Sequence, residues 1–431
     1  MTGMVNFGPD VQPDRSSSAS RSGGRPAIGS ASESGGRPAL QAGTRERWRM
    51  GVEARALLLV TAVLVTFGLA VLYSASFIVA VNQGNPGHFY MLRQAMGVVV
   101  GLVAFALAAK IDADWWRRLA WPIMILSMLA MLVTVLPFTH AIAPVHLGAR
   151  RYLYGGSIQP SEFAKFAVVA WTAMLLVKKG EAVRRLGKGL LPFVVVIGSL
   201  SALAMLQPDY SIAMTFCLLM AVLLFVGGAR VAHFVFLGAV AFGLLFHQAY
   251  NSPYIRERLR SFTAGEQSDA AHKSGTADQQ FQSGVAVGSG GLVGVGFGEG
   301  NQQRGWLPLA YNDFIGSVVG EEFGFLGIAG ITLAFGLYGW LGFRIARHAR
   351  TPFASILAVG LTFMTVLTAF IHLGVVIGLL PNTGLTLPFV SYGRSNLVLT
   401  LGMTGILVNV GSQRERVYGE SATDPLQATI A

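Results

Sequence analysis

The sequence has a single cysteine and few charges, and each shortage excludes a class of protein. Cys217 is the only cysteine among 431 residues, so the chain has neither a disulfide framework nor a cysteine-based zinc site. Only 12% of the residues are Asp, Glu, Lys or Arg, which is about half the share usual in soluble domains. With 53% hydrophobic residues and a mean hydropathy of +0.55, the chain is not one large soluble domain.

Nucleotide-binding and histidine metal motifs are missing as well. No G-x-x-x-x-G-K-[S/T] loop occurs, and no G-x-G-x-x-G fits the glycine-rich stretch 288–300. The histidines are scattered, without the spacing of a zinc site. The basic excess, 32 Lys+Arg against 21 Asp+Glu, is placed between long apolar runs. That placement favours loops that face an anionic membrane over a nucleic-acid surface.

Ten apolar runs approach or exceed the length of about 20 residues that a bilayer-spanning helix needs. They predict helices over 56–80, 92–109, 120–138, 161–177, 189–206, 209–227, 231–248, 317–345, 352–380 and 395–412. We therefore predict an all-α polytopic membrane protein with about ten transmembrane helices. The Lys and Arg residues of the short loops predict that both termini are cytoplasmic, with one large outer loop between helices 7 and 8.

Composition divides the chain into three parts. Residues 1–53 are rich in Ser, Gly and Arg and predict a disordered basic cytoplasmic tail. Residues 54–412 form the predicted transmembrane domain, with the large extracytoplasmic loop at 249–316, and residues 413–431 form a C-terminal cytoplasmic tail. The apolar, glycine-rich part of the outer loop, 281–300, is expected to pack against the membrane surface or to dip into it.

Ionisable residues at the ends of apolar runs are candidate functional groups, because charges are costly in lipid. Glu162 and Lys165 are three residues apart, which places them on one helix face. Asp209 opens the sixth run, and Glu321 and Glu322 lie near the start of the eighth. Helix caps and salt bridges explain these residues as well as a functional site does.

Cations and one carboxylate are predicted on the outer side of the membrane. The pair Arg150 and Arg151 and the group Arg256, Arg258 and Arg260 suit phosphate, although anionic headgroups or neighbouring acids would also bind them. Asp313 lies where the outer loop meets the eighth run. That position alone predicts a helix N-cap.

Five motifs occur in order along the chain, and together they resemble the signatures of the SEDS family (shape, elongation, division and sporulation). They are Gly148-Ala149-Arg150-Arg151-Tyr152 with Gln159-Pro160-Ser161-Glu162-Phe163-Ala164-Lys165; Gln207-Pro208-Asp209-Tyr210-Ser211; Gln282-Ser283 with the glycines that follow; Asp313-Phe314-Ile315 with Gly320-Glu321-Glu322-Phe323-Gly324; and the segment Pro381 to Gly393. The resemblance covers residues 54 to 412.

The resemblance implies a peptidoglycan glycosyltransferase that polymerises lipid II at the outer face of the cytoplasmic (inner) membrane. The basic N-terminal tail and the Gly-Leu-Thr-Leu-Pro segment favour the division branch, and hence septal cell-wall synthesis. The family's essential aspartate falls on Asp313, which becomes the expected general base. The implied partners are lipid II, a class B penicillin-binding protein as transpeptidase and other membrane proteins of the division machinery, with no nucleic acid.

The resemblance and the charges assign roles to the remaining motif residues. The expected contacts of lipid II and its diphosphate are Arg150, Arg151, Lys165, Arg260, Ser391 and Arg394. The expected orienting or structural polar residues are Glu162, Asp209, Gln282, Ser283, Glu321 and Glu322. No metal ligand is assigned, and assistance by Mg²⁺ or Mn²⁺ stays open, because Mg²⁺ keeps several waters and few protein ligands.

The chain departs from the family pattern around the aspartate. Tyr311-Asn312 stands where the family has His-Thr, Leu309 where it has Glu, and Arg394-Ser395-Asn396 where it has Gly-Ser-Ser. The missing histidine removes a candidate proton shuttle, whereas Arg394 adds an outer cation. These changes bear on rate and activity, not on the fold.

Two other functions remain alternatives at this stage. A transporter that flips a lipid-linked sugar would distribute polar groups through the bilayer midplane, whereas the ionisable residues here cluster at outer helix ends. A non-catalytic scaffold of the division complex is kept open by the departures around Asp313.

Overall fold

The apolar runs form long helices. The computed structural model describes residues 45–139, 142–144, 150–153, 158–233 and 275–417, with single positions between 235 and 256. The helices within these ranges are α1 Val52–Asn82, α2 Phe89–Lys110, α3 Ala113–Val135, α4 Pro160–Lys179, α5 Leu191–Leu206, α6 Tyr210–Val226, α7 Gly275–Ser289, α8 Ile315–Arg347, α9 Pro352–Val376 and α10 Arg394–Val410. Short turns of 3₁₀ or π helix cover Gly180–Arg184, Leu186–Leu190 and Gln302–Arg304, and strands cover β1 Arg45–Met50 and β2 Ser412–Val417.

The predicted fold class is confirmed: the chain is a mostly helical, multi-pass membrane protein. In the described ranges, seven helices or helix–turn units are long and apolar enough to cross a membrane, and α6 is a shorter apolar helix. Nine of the ten predicted runs coincide with helices. The predicted run 231–248 lies largely outside the described residues, so the count of ten, like the orientation, stays a prediction.

The regions outside the predicted spans contain regular structure of their own. Strands β1 and β2 pair in a two-stranded sheet, although residues 45–50 belong to the segment predicted as tail. Beside this sheet, the backbone N–H of Gly51 donates to the carbonyl of Gly411 at 3.2 Å. The start of α1 therefore lies against the end of α10. Residues 1–44 and 418–431 of the predicted tails lie outside the described residues.

The outer loop predicted at 249–316 also contains a helix. Residues 275–289 form α7, which packs against α8 and α9. The sequence predicted no helix there, because its glycines and polar residues obscure the periodicity.

Helix α4 forms the centre of the bundle and is buried along nearly its whole length. Small residues such as Ala167, Ala170 and Ala173 let α3, α6 and α9 approach it closely. The fully buried Trp171 packs edge to face against Trp121 at 5.3 Å and Phe193 at 5.7 Å. This packing holds the first two turns of α4, with Glu162 and Lys165, inside the protein.

Helix α8 is broken at Gly324, which the hydropathy pattern does not reveal. Gly324 has φ 64° and ψ −156°, a conformation that favours glycine. The glycine-rich segment 290–296 fills the break: the N–H groups of Val295 and Gly296 donate to the carbonyls of Glu321 at 3.0 Å and Glu322 at 3.1 Å. These two bonds supply donors to carbonyls that have lost their hydrogen-bond partners within α8 because of the break.

Candidate active site

Asp313 is presented by a tight turn just before α8. Leu309 adopts φ 58°, and its carbonyl accepts from the N–H groups of Asn312 at 2.9 Å and Asp313 at 3.2 Å. The Asp313 side chain is half-buried. The N-cap of α8 is Phe314, so the N-cap role predicted for Asp313 is wrong. The carboxylate instead precedes the helix, where the positive end of the helix dipole favours a negative charge.

The segment 381–393 lies against Asp313. A Cβ at Gly384 would be 3.8 Å from Oδ2 of Asp313. The Ser391 hydroxyl donates to the carbonyl of Asn312 at 2.7 Å and accepts from the N–H of Leu387 at 2.8 Å. Because Ser391 is buried and its hydroxyl makes both bonds, it fixes this segment beside Asp313.

Gln94 of α2 holds the end of the same segment. Its Nε2 donates to the carbonyl of Ser391 at 3.0 Å, and its Oε1 accepts from the N–H of Gly393 at 3.2 Å. Gln94 is 1% exposed, so these two bonds satisfy an amide that would otherwise be costly to bury. Gln94 is not among the residues predicted from the sequence; a polar amide within an apolar run was the available signal.

Tyr311 packs in an aromatic group at the same place. Its ring lies 4.8 Å from that of Tyr90 and 5.8 Å from that of Tyr392, and its carbonyl accepts from the N–H of Tyr392 at 3.0 Å. Burial, and next the neighbouring Tyr90, raise the pKa of the Tyr311 phenol. Tyr311 therefore stays protonated at neutral pH.

Tyr152 lies near most of the charged side chains of the site. Burial raises the pKa of its phenol to about 12, the carboxylates of Asp313, Glu162 and Asp209 add to the rise, and the Arg151 guanidinium opposes it. Three carboxylates and a guanidinium thus lie within electrostatic reach of one protonated hydroxyl. Tyr152 is part of the first motif, but nothing in the sequence distinguishes it, because proximity to distant carboxylates has no sequence signal.

Arg151 and Asp209 lie together at the start of α6. Nη1 of Arg151 is 3.9 Å from Oδ2 of Asp209, and its Nε donates to the carbonyl of Gln207 at 3.1 Å. Asp209 is the N-cap of α6, since its Oδ1 accepts from the N–H of Ile212 at 3.3 Å. Burial raises the pKa of the Asp209 carboxyl, and Arg151 partly offsets the rise.

Glu162 and Lys165 form the ion pair that their spacing predicts. Nζ of Lys165 is 2.8 Å from Oε1 of Glu162, and the two side chains are 2% and 7% exposed. A buried pair of this kind is costly to break, because removing one partner leaves a buried charge uncompensated.

The other predicted cations have different surroundings. Arg150 donates to Oγ1 of Thr139 at 2.8 Å and to the carbonyl of Ala143 at 3.0 Å, which anchors the chain after α3. Arg394 begins α10, and its Cγ would lie 3.3 Å from a Cβ at Gly97 of α2. Arg260 lies outside the described residues.

Ser283 and its neighbour Gln282 lie in α7. The Ser283 hydroxyl is fully buried. It bonds with Oγ of Ser317 at 2.7 Å and donates to the carbonyl of Val376 at 3.1 Å. Gln282 is half-buried one position earlier. Ser283 therefore joins α7 to α8 and α9.

Glu321 and Glu322 hold the glycine-rich segment in place. Glu321 accepts from the backbone N–H of Asn301 at 2.7 Å. Glu322 accepts from the N–H of Gly298 at 3.0 Å, from Nε2 of Gln303 at 3.0 Å and from the Ser74 hydroxyl. Both carboxylates are buried and bind protein donors, as expected for structural groups.

An apolar groove adjoins the charged cluster. It has a volume of about 450 Å³ and lies between α2, α3, α4 and α10. Its lining includes Leu153, Ile158, Phe163, Phe166, Trp116 and Met403. Leu153 and Phe163, which line the groove, directly follow Tyr152 and Glu162 of the charged cluster in the chain. Among the described residues, no group of three or more His, Cys, Asp or Glu side chains is arranged to hold a metal ion.

The sequence model of the cell cycle protein family FtsW/RodA/SpoVE matches residues 54–416. The chain belongs to this family. It is 35% identical over 370 residues to the probable peptidoglycan glycosyltransferase FtsW of Trichlorobacter lovleyi, covering 85% of this chain and 95% of the relative. It is also 35% identical over 356 residues to the stage V sporulation protein E of Bacillus subtilis, covering 82% and 95%.

Solved structures of FtsW/RodA/SpoVE relatives share the fold. A peptidoglycan synthase complex that coordinates polymerization and crosslinking matches with a TM-score of 0.67 at 27% identity, covering 82% of this chain and 96% of that one. The rod shape determining protein RodA of Thermus thermophilus matches with a TM-score of 0.60 at 25% identity, covering 82% and 95%. The likeness spans nearly the full length of both relatives.

Proposed function

We propose that the chain polymerises lipid II into glycan strands at the outer face of the cytoplasmic membrane, for septal wall synthesis in division. It is a peptidoglycan glycosyltransferase, in keeping with the names of its FtsW relatives. In this reaction a sugar hydroxyl of the acceptor attacks the sugar carbon of the donor. The new glycosidic C–O bond forms as the C–O bond to the lipid diphosphate breaks.

One observation carries the proposal: a half-exposed carboxylate, a guanidinium and an apolar groove are contiguous. Asp313 and Arg151 both lie within electrostatic reach of the Tyr152 phenol, and the next residue, Leu153, lines the groove. A glycosyl transfer between two lipid-linked sugars needs a base for the hydroxyl, a cation for the departing diphosphate and a place for a lipid tail.

In this proposal Asp313 takes the proton of the acceptor hydroxyl as the glycosidic bond forms. Arg151 has further N–H donors for the diphosphate beyond those that bind Gln207, Pro208 and Asp209. We assign diphosphate contact to Arg150, Arg394 and Arg260 as well, whereas Lys165, which is buried and paired with Glu162 at 2.8 Å, has a structural role. Asp209 and Glu162 orient Arg151 and Lys165, because each carboxylate lies beside one of these cations.

The polar residues that bind only protein groups have structural roles in the proposal. Ser391, predicted as a substrate contact, fixes segment 381–393 through bonds to Asn312 and Leu387. Ser283, Glu321 and Glu322 join α7, α8 and the glycine-rich segment, and Gln282 belongs to the same region.

The groove suits part of a polyprenyl tail. Its lining is almost entirely apolar, and burial of an apolar chain is favourable by about 25 cal/mol per Å². The tail in this groove would place its diphosphate near Arg151 and Tyr152, which precede Leu153 in the chain.

The proposal includes the setting of the enzyme. It comprises an N-terminal cytoplasmic tail at 1–53, a transmembrane domain at 54–412 with an outer loop at 249–316, and a cytoplasmic tail at 413–431, in the inner membrane. The partner is a class B penicillin-binding protein among other division proteins. The likeness to a synthase complex that couples polymerization and crosslinking supports such a partner.

The proposal is tested with purified full-length protein in liposomes that contain outward-facing lipid II. The assay is run with and without the partner, and with a metal chelator. Wild type should form polymer, and Asp313→Asn should reduce the rate by about 100-fold or more while remaining folded. Asp114→Asn, at an exposed carboxylate that pairs with Arg117 at 3.8 Å, should retain full activity. Lipid translocation without polymer would favour a transporter, and an active Asp313→Asn variant would refute the base assignment.

A further inference from the structure

His372 is a buried imidazole within α9 whose two nitrogens both bind backbone groups. It is 1% exposed. Its Nδ1 lies 2.8 Å from the carbonyl oxygen of Leu385, and its Nε2 lies 3.3 Å from the backbone N–H of Gly316. A carbonyl only accepts, so Nδ1 carries the hydrogen and Nε2 accepts from Gly316. The two contacts select one neutral tautomer.

These two backbone groups belong to the two segments next to Asp313, the start of α8 and segment 381–393. Gly316 is in the first turn of α8, three residues after Asp313, where an N–H has no partner within its own helix. Leu385 follows Gly384, whose Cβ position is 3.8 Å from Oδ2 of Asp313. His372 therefore joins the helix that directly follows the carboxylate to the segment that lies against Asp313.

Space around the imidazole is restricted, which fixes its position. A Cβ at Gly316 would lie 3.3 Å from Nε2 of His372 and 3.0 Å from Cγ2 of Val376. The glycine thus allows α8 to approach α9 closely enough for the hydrogen bond. Ser391 makes the corresponding connection on the other side of Asp313, to the carbonyl of Asn312.

We propose that His372 is a positioning residue for Asp313: by binding Gly316 and Leu385 at once, it fixes the carboxylate relative to the acceptor hydroxyl. The inference rests on the proposed role of Asp313 as general base. His372 does not touch the substrate and exchanges no proton in the reaction. Its loss should lower kcat and leave KM nearly unchanged, because substrate binding uses other residues.

Four substitutions separate the two hydrogen bonds from the volume of the ring. His372→Phe keeps the volume and removes both bonds, and His372→Ala removes volume as well. The amide of His372→Asn lies near the former Nδ1 and can donate to Leu385, whereas the longer His372→Gln can accept from Gly316. The matched control is Thr368→Val, one turn earlier on α9, where the buried hydroxyl bonds only to Met364 of the same helix.

Full-length variants are compared in the liposome polymerisation assay, with melting temperature and lipid II affinity measured in parallel. His372→Phe should lower kcat by about 10- to 100-fold with KM within about twofold, and His372→Asn or His372→Gln should recover part of the loss. Thr368→Val should match wild type. A folded His372→Phe variant with wild-type kcat overturns the inference, as does a loss of kcat that follows melting temperature equally in every variant.

Asp313→Asn serves as the reference variant. If Asp313→Asn is active, the proposed function itself fails. If Asp313→Asn is inactive while His372→Phe has normal activity, only the inference about His372 fails.

Discussion

Ser391 donates a hydrogen bond of 2.7 Å to the carbonyl of Asn312, the residue directly before Asp313. The same hydroxyl accepts from the N–H of Leu387 at 2.8 Å. One buried oxygen thus connects the Leu-Pro-Phe-Val-Ser-Tyr-Gly segment to the turn that carries the carboxylate. The bond joins residues 79 positions apart in the chain, and it gives Ser391 a role in positioning the site.

Ser391→Ala should therefore lower kcat by about 10-fold without a change in KM, because the turn that carries Asp313 loses its tie while the cations stay in place. Steady-state polymerisation kinetics with lipid II measure both constants. Ser199→Ala is the matched control, since Ser199 is exposed and bonds within its own helix to Val195. A rise in KM at unchanged kcat would instead identify Ser391 as a substrate contact.

Filling the apolar groove should weaken substrate binding. Gly402 lines the groove, and a Cβ there would be no closer than 3.8 Å to Ala104, so Gly402→Leu should extend into the groove without a backbone clash. We expect KM for full-length lipid II to rise by about 10-fold or more, and less for an analogue with a shortened tail. Gly336→Leu, on an open face of α8, is the control. Equal effects on both substrates would exclude the groove as the tail site.

The break in α8 should depend on glycine. At Gly324, φ is 64°, and a Cβ would lie 2.4 Å from the backbone nitrogen of Gly294. Gly324→Ala should cost about 1–3 kcal/mol from the backbone conformation alone, with the clash adding to it. Melting temperature in detergent measures the change. Gly330→Ala, six residues later with open space around it, should cause no loss; equal melting temperatures for the two variants would contradict this account.

Asp209 should make stability depend on pH in a predictable direction. Its pKa is raised from the ordinary value of 3.8, first by burial. The folded state therefore holds the proton more tightly, and the stabilisation is complete below about pH 3.8 and is lost as pH rises through the folded-state pKa. Relative to Asp209→Asn, wild type should lose up to about 1.4 kcal/mol per pH unit over this window.

Melting temperatures of wild type and Asp209→Asn across that pH window check the prediction. Asp112→Asn is the control, because Asp112 is likewise an N-cap aspartate, with its Oδ1 accepting from Asp114 at 3.1 Å, but is exposed. If the difference in melting temperature between wild type and Asp209→Asn does not vary with pH, ionisation of the buried carboxyl does not destabilise the folded state.

Features that depend on neighbours along the chain could be predicted from the amino-acid sequence. Apolar length predicted the long helices, because the bilayer sets the number of residues per span. The spacing of three residues predicted the ion pair of Glu162 and Lys165, in which Nζ of Lys165 is 2.8 Å from Oε1 of Glu162. The position of Asp209 before an apolar run predicted a helix start. The motifs, which are also local, identified the family.

Contacts between distant segments could be found only in the folded bundle. The break at Gly324 exists because segment 290–296 supplies hydrogen bonds to Glu321 and Glu322, a condition that hydropathy cannot express. The charges around Tyr152 come from α4, α6 and the turn before α8. His372 has a role only because Gly316 and Leu385 flank it in space. The local pattern of apolar and polar residues indicates which side chains face lipid or the protein core. Hydrogen bonds between segments that are distant in the chain depend instead on the packing of the whole bundle.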